Sequence, residues 1–401
     1  MKWNFIFLIL LLTAFKGFAQ PAGKNKSALR TGAELTEKYL SYFKNKKIGI
    51  IANQSSRIGN RSTVDSLVSL GVRIVKIFGP EHGFRGKASA GTPVNDDIDP
   101  VTGIPVISLY GKNNKPTPGQ MKDIDLMIFD LQDVGCRFFT TNQTLHRVME
   151  ACAENKVELM IFDRPNPNGY FVDGPILEDS LRSGIGAHRI PITHGLTMGE
   201  FALMLNGEGW LKNKVQCKLN IIKVSEYTHD TPYELPIHPS PNLNTAQSIL
   251  LYPSTCLFEG TYLNHGRGTY FPFTVLGAPA LKGKYDFSFK PVGIPGMAET
   301  PLYQDQECYG LDLRNYDTEK LRKSGKINLK WIMELYAAYP DKEKFFDSRL
   351  SNQMGNIDRL AGTANFRKQI IAGVSEEEIR KSWEPGLSGY KQMRKKYLIY
   401  P

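Results

Sequence analysis

A glutamate beside a histidine is the pair in this sequence best suited to chemistry. Glu81 and His82 follow an apolar run over residues 72–78 and are preceded by Pro80. A carboxyl group held at the end of a strand can exchange a proton with a bound substrate, which is general acid–base catalysis. The alternative is a structural carboxylate that caps a turn or pairs with Arg85. We favour catalysis because polar clusters also follow the other predicted strands.

These clusters lie where the carboxyl ends of parallel strands would face one crevice, the usual ligand site of α/β proteins. Asp130 and Asp133 could bind a sugar hydroxyl, orient a base or hold a cation. Asp133 could equally pair with Arg137 or cap the helix that follows. Asp163 and Arg164 could contact a ligand or form a salt bridge that shapes their proline-rich loop. The candidate binding residues at these strand ends are Asn53, Asp130, Gln132, Asp133, Arg137, Asp163, Arg164, Asn166 and Asn168.

Short apolar runs alternate with amphipathic segments from about residue 46 onward, which is the pattern of a parallel sheet covered by helices. The predicted fold is α/β, with a Rossmann-like, mostly parallel sheet built from βαβ units. Thr197 and Glu200 form a capping-box pattern that predicts the start of a helix. The predicted strands cover residues 47–52, 72–78, 105–109, 125–129, 157–162 and 218–224, and two predicted helices cover residues 61–70 and 142–155.

The later part of the chain changes character. Residues 226–300 are rich in Pro, Gly and aromatic residues and predict ordered loops and strands. Helical spacing over residues 329–339, 363–372 and 375–383 predicts a second, smaller C-terminal domain of α/β or mainly helical type. We place the boundary near residue 270, which gives a Rossmann-like catalytic domain over residues 30–270 and a smaller domain over residues 271–401 that closes the cleft.

The N-terminus has the form of an export signal. Lys2 precedes an apolar stretch of 11 residues, and Gly17 and Ala19 supply small residues before a cleavage site. The stretch is shorter than the roughly 20 residues that span a membrane. We predict a signal peptide over residues 1–19 and a periplasmic or secreted protein. Cleavage removes two lysines and no acid, so the net charge of +10 becomes +8, which favours an anionic partner without the dense basic runs of a nucleic-acid-binding protein.

Several enzyme classes lack their motifs in this sequence. The turn after the first predicted strand has no Gly-x-Gly-x-x-Gly, and the chain has no Gly-x-x-x-x-Gly-Lys-Ser/Thr, which disfavours nucleotide-dependent enzymes. A Gly-x-Ser-x-Gly elbow is also absent. The five cysteines and seven histidines show no zinc-ligand spacing. We therefore expect no cofactor and no metal.

Long ordered motifs extend over much of the chain. They are Gly79-Pro80-Glu81-His82-Gly83-Phe84-Arg85-Gly86, Asp130-Leu131-Gln132-Asp133-Val134-Gly135-Cys136-Arg137-Phe138, Asp163-Arg164-Pro165-Asn166-Pro167-Asn168-Gly169, Asp173-Gly174-Pro175, and Glu259-Gly260-Thr261 with Gly266-Arg267-Gly268-Thr269. Together they resemble the NamZ-type exo-β-N-acetylmuramidases, which act on bacterial cell wall. The resemblance runs from about residue 30 to the end of the chain.

The resemblance implies a glycoside hydrolase that removes N-acetylmuramic acid from the non-reducing ends of peptidoglycan fragments, in cell-wall turnover or recycling. It implies a site between a Rossmann-like domain and a smaller C-terminal domain. Glu81 matches the catalytic glutamate of the family, with His82 as its neighbour, and would act as an acid kept protonated by partial desolvation. The second catalytic group stays open, and the candidates are Asp130, Asp133, Asp163, Glu259 and the 2-acetamido group of the substrate.

The implied partners are peptidoglycan-derived glycans such as N-acetylmuramic acid–N-acetylglucosamine. The lactyl carboxylate of muramic acid suits a bidentate arginine, for which the candidates are Arg85, Arg164 and Arg267. Candidates for an aromatic platform are Trp210, Tyr262, Tyr270 and Phe271. Two other functions compete with this one: a non-catalytic cell-wall sugar-binding protein, and a metal-assisted hydrolase that uses His82, Asp130 and Asp133.

Overall fold

The computed structural model describes residues 28–81, 83–86, 96–111, 113–347 and 356–401. His82 and the signal peptide predicted over residues 1–19 lie outside the described residues. Within the described ranges, no helix is long and apolar enough to cross a membrane.

A sheet of seven strands organises the first part of the chain. Its order is β5-β6-β4-β1-β7-β8-β9, while β2 and β3 form a small separate hairpin. β5 runs antiparallel at one edge and the other six strands are parallel. The strands are β1 (Ile48–Ala52), β2 (Arg57–Ile58), β3 (Arg61–Ser62), β4 (Ile74–Gly79), β5 (Asp97–Ile98), β6 (Pro105–Ser108), β7 (Leu126–Asp130), β8 (Glu158–Phe162) and β9 (Leu219–Ile222).

The mostly parallel α/β sheet predicted from the apolar runs is confirmed. β1 and β7 are buried at every position because they lie at the centre of the sheet with both faces covered. The six parallel strands have the order of a doubly wound sheet, in which the direction of winding reverses beside the first strand. The carboxyl ends of β1, β4 and β7 therefore lie next to one another at this reversal.

Helices and short turns cover both faces of the sheet. α3 and α4 pack on one face in a common apolar core, and α1 packs on the other face with short 3-10 helices near residue 40. α4 begins at the predicted capping box, where the Thr197 hydroxyl accepts from the Glu200 amide and the Glu200 carboxylate accepts from the Thr197 amide. The helices are α1 (Thr63–Ser69), α2 (Pro118–Met121), α3 (Thr141–Glu154) and α4 (Met198–Gly207).

The later part of the chain places helices around a small antiparallel sheet, and one apolar core joins them. Its strands are β10 (Val275–Ala278), β11 (Ser288–Phe289) and β12 (Cys308–Asp312), in the order β10-β12-β11. Its helices are α5 (Ala246–Thr255), α6 (Thr318–Ser324), α7 (Lys330–Ala338), α8 (Lys342–Phe345), α9 (Ile357–Ala361), α10 (Ala364–Ile371) and α11 (Glu376–Lys395). Short 3-10 helices lie at Gly32–Glu34, Thr36–Lys38, Leu40–Phe43, Asp179–Leu181, Lys212–Lys214, Cys256–Gly260 and Pro279–Leu281.

Two of the helices that differ from the prediction contain an internal proline. α5 occupies a segment predicted to be loop and strand, and Pro253 lies inside it. The helix predicted to end at residue 383 continues as α11 through Pro385. A proline removes one backbone hydrogen bond from a helix, but burial of the apolar face outweighs that loss here. In α11 the buried face includes Trp383 and Tyr390.

The C-terminal segment returns to the main sheet. The Tyr390 hydroxyl donates to the His194 carbonyl at 2.8 Å, and the Tyr400 hydroxyl donates to the Asp163 carboxylate at 2.6 Å. The amide of Ile399 donates to Glu200 at 3.0 Å. The last residues of the chain are therefore part of the packing of the first domain, and the two predicted domains are tied together at the end of the sequence.

Candidate active site

A cleft of about 760 Å³ opens at the carboxyl edge of the main sheet, between the sheet and the later part of the chain. Glu81 reaches this cleft through a tight turn after β4, in which the Gly83 amide donates to the Pro80 carbonyl at 2.9 Å. A Cβ atom at Gly79 would lie 2.9 Å from the backbone nitrogen of Phe84, so the turn can close only over a glycine. The sequence around Glu81 thus fixes where its carboxyl group lies.

Two hydroxyl groups hold the Glu81 carboxyl group. The Thr140 hydroxyl, which lies just before the first residue of α3, donates to Glu81 Oε2 at 3.3 Å. The Tyr110 hydroxyl, which follows β6, is also hydrogen-bonded to Glu81. Burial and the charge of Glu81 raise the pKa of Tyr110 to about 12, so this phenol remains a donor at neutral pH. Glu81 is therefore oriented by groups from two different strand ends.

A second carboxylate, Glu259, lines the same cleft. The Arg267 guanidinium donates to Glu259 Oε1 at 2.7 Å, and Arg267 Nε also donates to His265 Nε2 at 3.1 Å. Burial opposes ionisation of Glu259, but the charge of Arg267, together with the hydrogen bonds and charges of its other polar neighbours, outweighs burial and lowers the pKa of Glu259 to about 2. Burial lowers the pKa of His265, and its Nε2 acts as an acceptor. Glu259 is therefore an ionised carboxylate held by Arg267, and the neutral His265 beside it accepts a second hydrogen bond from the same arginine.

Glu259 is placed by close packing of two elements. It lies in the 3-10 helix Cys256–Gly260, directly before Gly260. A Cβ atom at Gly260 would lie 2.4 Å from the backbone nitrogen of Ile357, the first residue of α9. Only a glycine permits this approach, which brings α9 against the wall of the cleft.

Of the residues predicted to bind substrate, Asn53, Glu259 and Arg267 line the cleft together with Glu81. Asn53 follows β1, and its side-chain oxygen accepts from the Ser55 amide and hydroxyl at 2.9 and 2.6 Å. The other predicted binding residues do not line this cleft within the described part of the chain. Their side chains are used in internal contacts.

Asp130 and Asp163 follow adjacent strands but lie inside the protein. Asp130 accepts from Arg164 Nε at 2.7 Å and both side chains are nearly inaccessible to solvent. Asp163 instead accepts from the Thr197 hydroxyl at 2.7 Å and from the Gly199 amide at 2.9 Å, at the start of α4. Burial raises the pKa of Asp163 to about 6. The predicted alternative of an Asp163–Arg164 salt bridge is wrong, because Arg164 pairs with Asp130.

Asp133 and Arg137 lie in the same loop but do not pair. Asp133 accepts from the Gly135 amide at 2.6 Å and lies 3.4 Å from His194. Arg137 is 1% exposed, and it donates to the carbonyls of Pro175, Ile190 and Leu360 at 2.7 to 3.0 Å. Burial lowers the pKa of Arg137 to about 9, which leaves it charged at neutral pH. The predicted Asp133–Arg137 pair is therefore wrong, and Arg137 joins the two parts of the chain.

The predicted amide ligands are also internal. Gln132 donates to the carbonyls of Asp133 and Pro165. Asn166 donates to the Leu196 carbonyl, and Asn168 donates to those of Val134 and Ile249. Each of these amides is buried and satisfies backbone carbonyls, which lie in loops except for that of Ile249 in α5.

Arg85 is held by two carboxylates. Its guanidinium donates twice to Asp99, at 2.8 and 2.9 Å, and twice to Asp65, at 3.0 and 3.1 Å. These hydrogen bonds and charges raise the pKa of Arg85. The alternative in which Glu81 pairs with Arg85 is not observed.

Several cleft residues were not identified from the sequence. Asn242 is 2% exposed, its Nδ2 donates to the Met297 carbonyl at 3.0 Å, and its Oδ1 has no hydrogen-bond partner within the described residues. The aromatic lining consists of Phe139, Tyr252 and Phe273. The predicted platform differs: Trp210 stacks on His188 away from the cleft, and Tyr270 is 74% exposed. The remaining lining residues with no sequence signal are Thr140, Thr141, Thr144, Pro239, Ser240 and Leu243.

The described residues contain no group of three His, Cys, Asp or Glu side chains placed to hold a metal ion. Asp130 and Asp133, which the metal-assisted hypothesis uses, are held by Arg164 and by backbone and histidine groups. All five cysteines have buried, free thiols.

The fold and the cleft define an α/β protein with two carboxylates in a cleft between the carboxyl edge of its sheet and the later part of the chain. Residues 48–247 match the N-terminal model of the exo-β-N-acetylmuramidase NamZ, and residues 250–400 match the C-terminal model. The sequence is 37% identical to the peptidoglycan β-N-acetylmuramidase NamZ of Bacillus subtilis, over 98% of this chain and 97% of that protein. The chain belongs to the exo-β-N-acetylmuramidase NamZ family.

Two crystal structures of DUF1343 family proteins from Bacteroides fragilis share the fold. One is 43% identical with a TM-score of 0.85, and the other is 30% identical with a TM-score of 0.79. Each comparison covers 93% of this chain and 99% of the other. The two family models meet between residues 247 and 250, so the cleft is lined by residues from both.

Proposed function

We propose that this protein is an exo-acting glycoside hydrolase that releases N-acetylmuramic acid from the non-reducing ends of peptidoglycan fragments, with Glu81 as the general acid. Membership of the NamZ family makes the chain a glycoside hydrolase. The single observation that supports Glu81 is its position in a cleft that also contains an ionised carboxylate, Glu259. Two carboxyl groups in different environments are what glycosidic cleavage requires.

In this proposal Glu81 donates its proton to the glycosidic oxygen as the bond to the anomeric carbon breaks. Positive charge then develops on the anomeric carbon and the ring oxygen of the N-acetylmuramic acid residue, while the rest of the glycan departs with the proton. Water adds to that carbon, and the proton that it loses restores the Glu81 acid. Tyr110 and Thr140 orient the Glu81 carboxyl group through their hydroxyls. His82, the neighbour of Glu81, stays a proposed member of the site.

Glu259 is the proposed second group. It lines the cleft, whereas Asp130, Asp133 and Asp163 are buried in other contacts. Its lowered pKa keeps it negatively charged over the physiological range, so it can stabilise the positive charge that develops on the sugar. The 2-acetamido group of the substrate is the alternative source of assistance to the anomeric carbon.

Asn53 and Asn242 are the proposed ligands of the sugar. The buried, unpartnered Oδ1 of Asn242 can accept a hydrogen bond from a substrate hydroxyl or acetamido N–H, because a buried acceptor normally has a partner. Phe139, Tyr252 and Phe273 supply apolar walls for the faces of the sugar ring. The substrate in this proposal is a glycan that begins with N-acetylmuramic acid followed by N-acetylglucosamine.

We also propose that residues 1–19 direct export and that the enzyme works in the periplasm or outside the cell. The apolar stretch of 11 residues and the small residues that follow it support this proposal. The proposed division is a catalytic domain over residues 30–270 and a smaller domain over residues 271–401. N-terminal sequencing of the exported protein tests the proposed signal peptide. A sequence that begins at residue 20 would agree with cleavage after residue 19, and one that retains Met1 would contradict it.

The test of the proposed function uses two disaccharides of opposite order. The protein is incubated with N-acetylmuramic acid–N-acetylglucosamine and with N-acetylglucosamine–N-acetylmuramic acid, and the products are identified by mass spectrometry. We expect free N-acetylmuramic acid from the first substrate only. Cleavage of the second substrate, or binding of the first without cleavage, would overturn the proposal, and the latter result would favour the sugar-binding alternative.

A further inference from the structure

A second chamber adjoins the cleft at Glu81. It has a volume of about 1140 Å³, and it shares Glu81, Thr140 and Thr144 with the cleft. Its own walls include Tyr110, after β6, and the segment over residues 183–185. The carboxyl group that the proposed function uses therefore stands where the two spaces meet.

Two arginines line this chamber from opposite parts of the chain. Arg147 comes from α3 and is half-buried, and Arg359 comes from α9 and is exposed. We call this space the arginine chamber. Neither guanidinium has a hydrogen-bond acceptor, or a carboxylate within 4 Å, in the part of the chain that the structure describes.

The acidic residues that lie close to these arginines in the sequence are engaged by other groups. Glu150, one turn beyond Arg147 on α3, accepts from Lys115 at 2.9 Å, from the Lys212 amide at 2.7 Å, and contacts His146 at 3.0 Å. Asp358, beside Arg359, accepts two hydrogen bonds from Arg367, both at 2.9 Å. Glu150 acts on Arg147 only through its charge, and neither arginine of the chamber forms a close ion pair within the described residues.

Arg147 and Arg359 differ in this respect from the three arginines that the sequence suggested as ligands of the lactyl carboxylate. Arg85 pairs with Asp65 and Asp99, Arg164 pairs with Asp130, and Arg267 pairs with Glu259. Each of these charges is already compensated by the protein. A half-buried guanidinium such as that of Arg147 is costly without an anion, and a planar guanidinium binds a carboxylate through two hydrogen bonds.

We propose that the arginine chamber binds the lactyl carboxylate of the N-acetylmuramic acid residue whose glycosidic bond meets Glu81. This inference rests on the proposed function for the identity of the sugar. The chamber begins at Glu81, so its anion must lie on the sugar at the scissile bond. In N-acetylmuramic acid the lactyl ether carries that carboxylate, and N-acetylglucosamine has none. The chamber thereby selects muramic acid over glucosamine at the site of cleavage.

The test measures binding of three monosaccharides to the exported chain by calorimetry: N-acetylmuramic acid, its methyl ester and N-acetylglucosamine. The ester keeps the shape of the lactyl group but loses its charge. We expect the wild type to bind the acid at least tenfold more tightly than the ester. Arg147→Gln and Arg359→Gln should each reduce this preference, and the double variant should abolish it, without changing the affinity for the ester. Arg147→Lys should retain part of it.

Arg189→Gln is the matched control, because Arg189 is an exposed arginine paired with Asp179 outside the chamber. It should bind all three sugars as the wild type does. Equal binding of acid and ester by the wild type, or a preference that survives the folded double variant, would overturn the inference. So would an effect of the variants seen only on peptide-bearing muropeptides, because that would assign the chamber to the stem peptide.

These measurements need no turnover, so failure of the inference is distinguishable from failure of the proposed function. A wild type that cleaves the disaccharide but binds acid and ester equally would refute only the arginine chamber. On the 4-nitrophenyl glycoside of N-acetylmuramic acid, which has no peptide and no second sugar, the double variant should raise KM about tenfold to a hundredfold, with a smaller change in kcat.

Discussion

Arg267 donates a hydrogen bond to Glu259 over 2.7 Å on the wall of the cleft that contains Glu81. The site thereby has one carboxylate that stays ionised, because Arg267 and the other polar neighbours of Glu259 together outweigh its burial and lower its pKa to about 2. The Glu81 carboxyl group instead meets the hydroxyls of Thr140 and Tyr110. This difference in environment is the basis for assigning the two residues different roles.

Removal of Arg267 should change the acid limb of the pH–rate profile. In the wild type, ionisation of Glu259 should not limit kcat above about pH 3. In Arg267→Gln, burial of Glu259 is no longer opposed by that charge, so its pKa should rise to or above its ordinary value of about 4. The acid limb of kcat should then move to higher pH. Arg314→Gln, which alters a surface pair with Asp312, is the control, and an unchanged acid limb in folded Arg267→Gln would argue against a role for Glu259.

Asn242→Ala should weaken catalysis by removing a buried acceptor from the cleft. We expect kcat/KM for the muramic acid glycoside to fall about tenfold, since one hydrogen bond to the substrate is lost. Kinetics with the purified variant measure this. Asn244→Ala is a neighbouring control, because its side chain donates to the Tyr270 carbonyl rather than lining the cleft. If kcat/KM falls equally in the two variants, the loss comes from a disturbed loop and not from removal of the Asn242 side-chain oxygen.

Tyr400→Phe should destabilise the protein more at neutral pH than in mild acid. Burial raises the pKa of Asp163 to about 6, above its ordinary value of about 3.9. The folded state therefore holds this proton more tightly, and the stability from this group falls as pH rises from about 4 to 6. Above pH 6 the charged Asp163 depends on the Tyr400 hydroxyl.

Urea unfolding should show a loss of about 1–3 kcal/mol in Tyr400→Phe at pH 7.5 and a smaller loss at pH 4.5. Tyr397→Phe is the matched control. Its hydroxyl donates to Glu208 at the surface, so its removal should cost less than about 1 kcal/mol at either pH. A loss in Tyr400→Phe that does not depend on pH would contradict the role given to Asp163.

Arg137→Met should destabilise the whole chain. The substitution leaves three buried carbonyls, of Pro175, Ile190 and Leu360, without their donor. We expect a loss of about 3–5 kcal/mol in the free energy of unfolding, measured in urea. Arg314→Met, at an exposed pair, should change it by less than about 1 kcal/mol. Similar values for the two variants would show that Arg137 does not join the two parts of the chain.

Much of the fold follows from local patterns. The apolar runs predicted every parallel strand of the main sheet within about two residues, because buried parallel strands are apolar throughout. The capping box at Thr197 marked the start of α4 correctly. α5 and the end of α11 were missed because a proline usually ends a helix, whereas here the tertiary packing of Tyr252 and Tyr390 maintains it.

The site was harder to predict than the fold. The rule that polar strand ends meet at one edge places Asn53 and Glu81 in the cleft. The same rule fails for Asp130 and Asp163, because Arg164 after the next strand and the Gly199 amide at the start of α4 hold these carboxylates inside the protein. Ser240, Asn242 and Tyr252 come from a segment without periodicity, so their place in the cleft is set only by long-range packing.

The most direct test of this account is release of 4-nitrophenol from the β-glycoside of N-acetylmuramic acid by wild type and Glu81→Gln. Glu384→Gln is the control, since Glu384 lies on an exposed face of α11. We predict that wild type and Glu384→Gln cleave this glycoside and spare the N-acetylglucosamine analogue, and that folded Glu81→Gln loses activity by a factor of about 10³ or more. A folded Glu81→Gln that retains wild-type kcat would contradict the assignment of Glu81 as the acid.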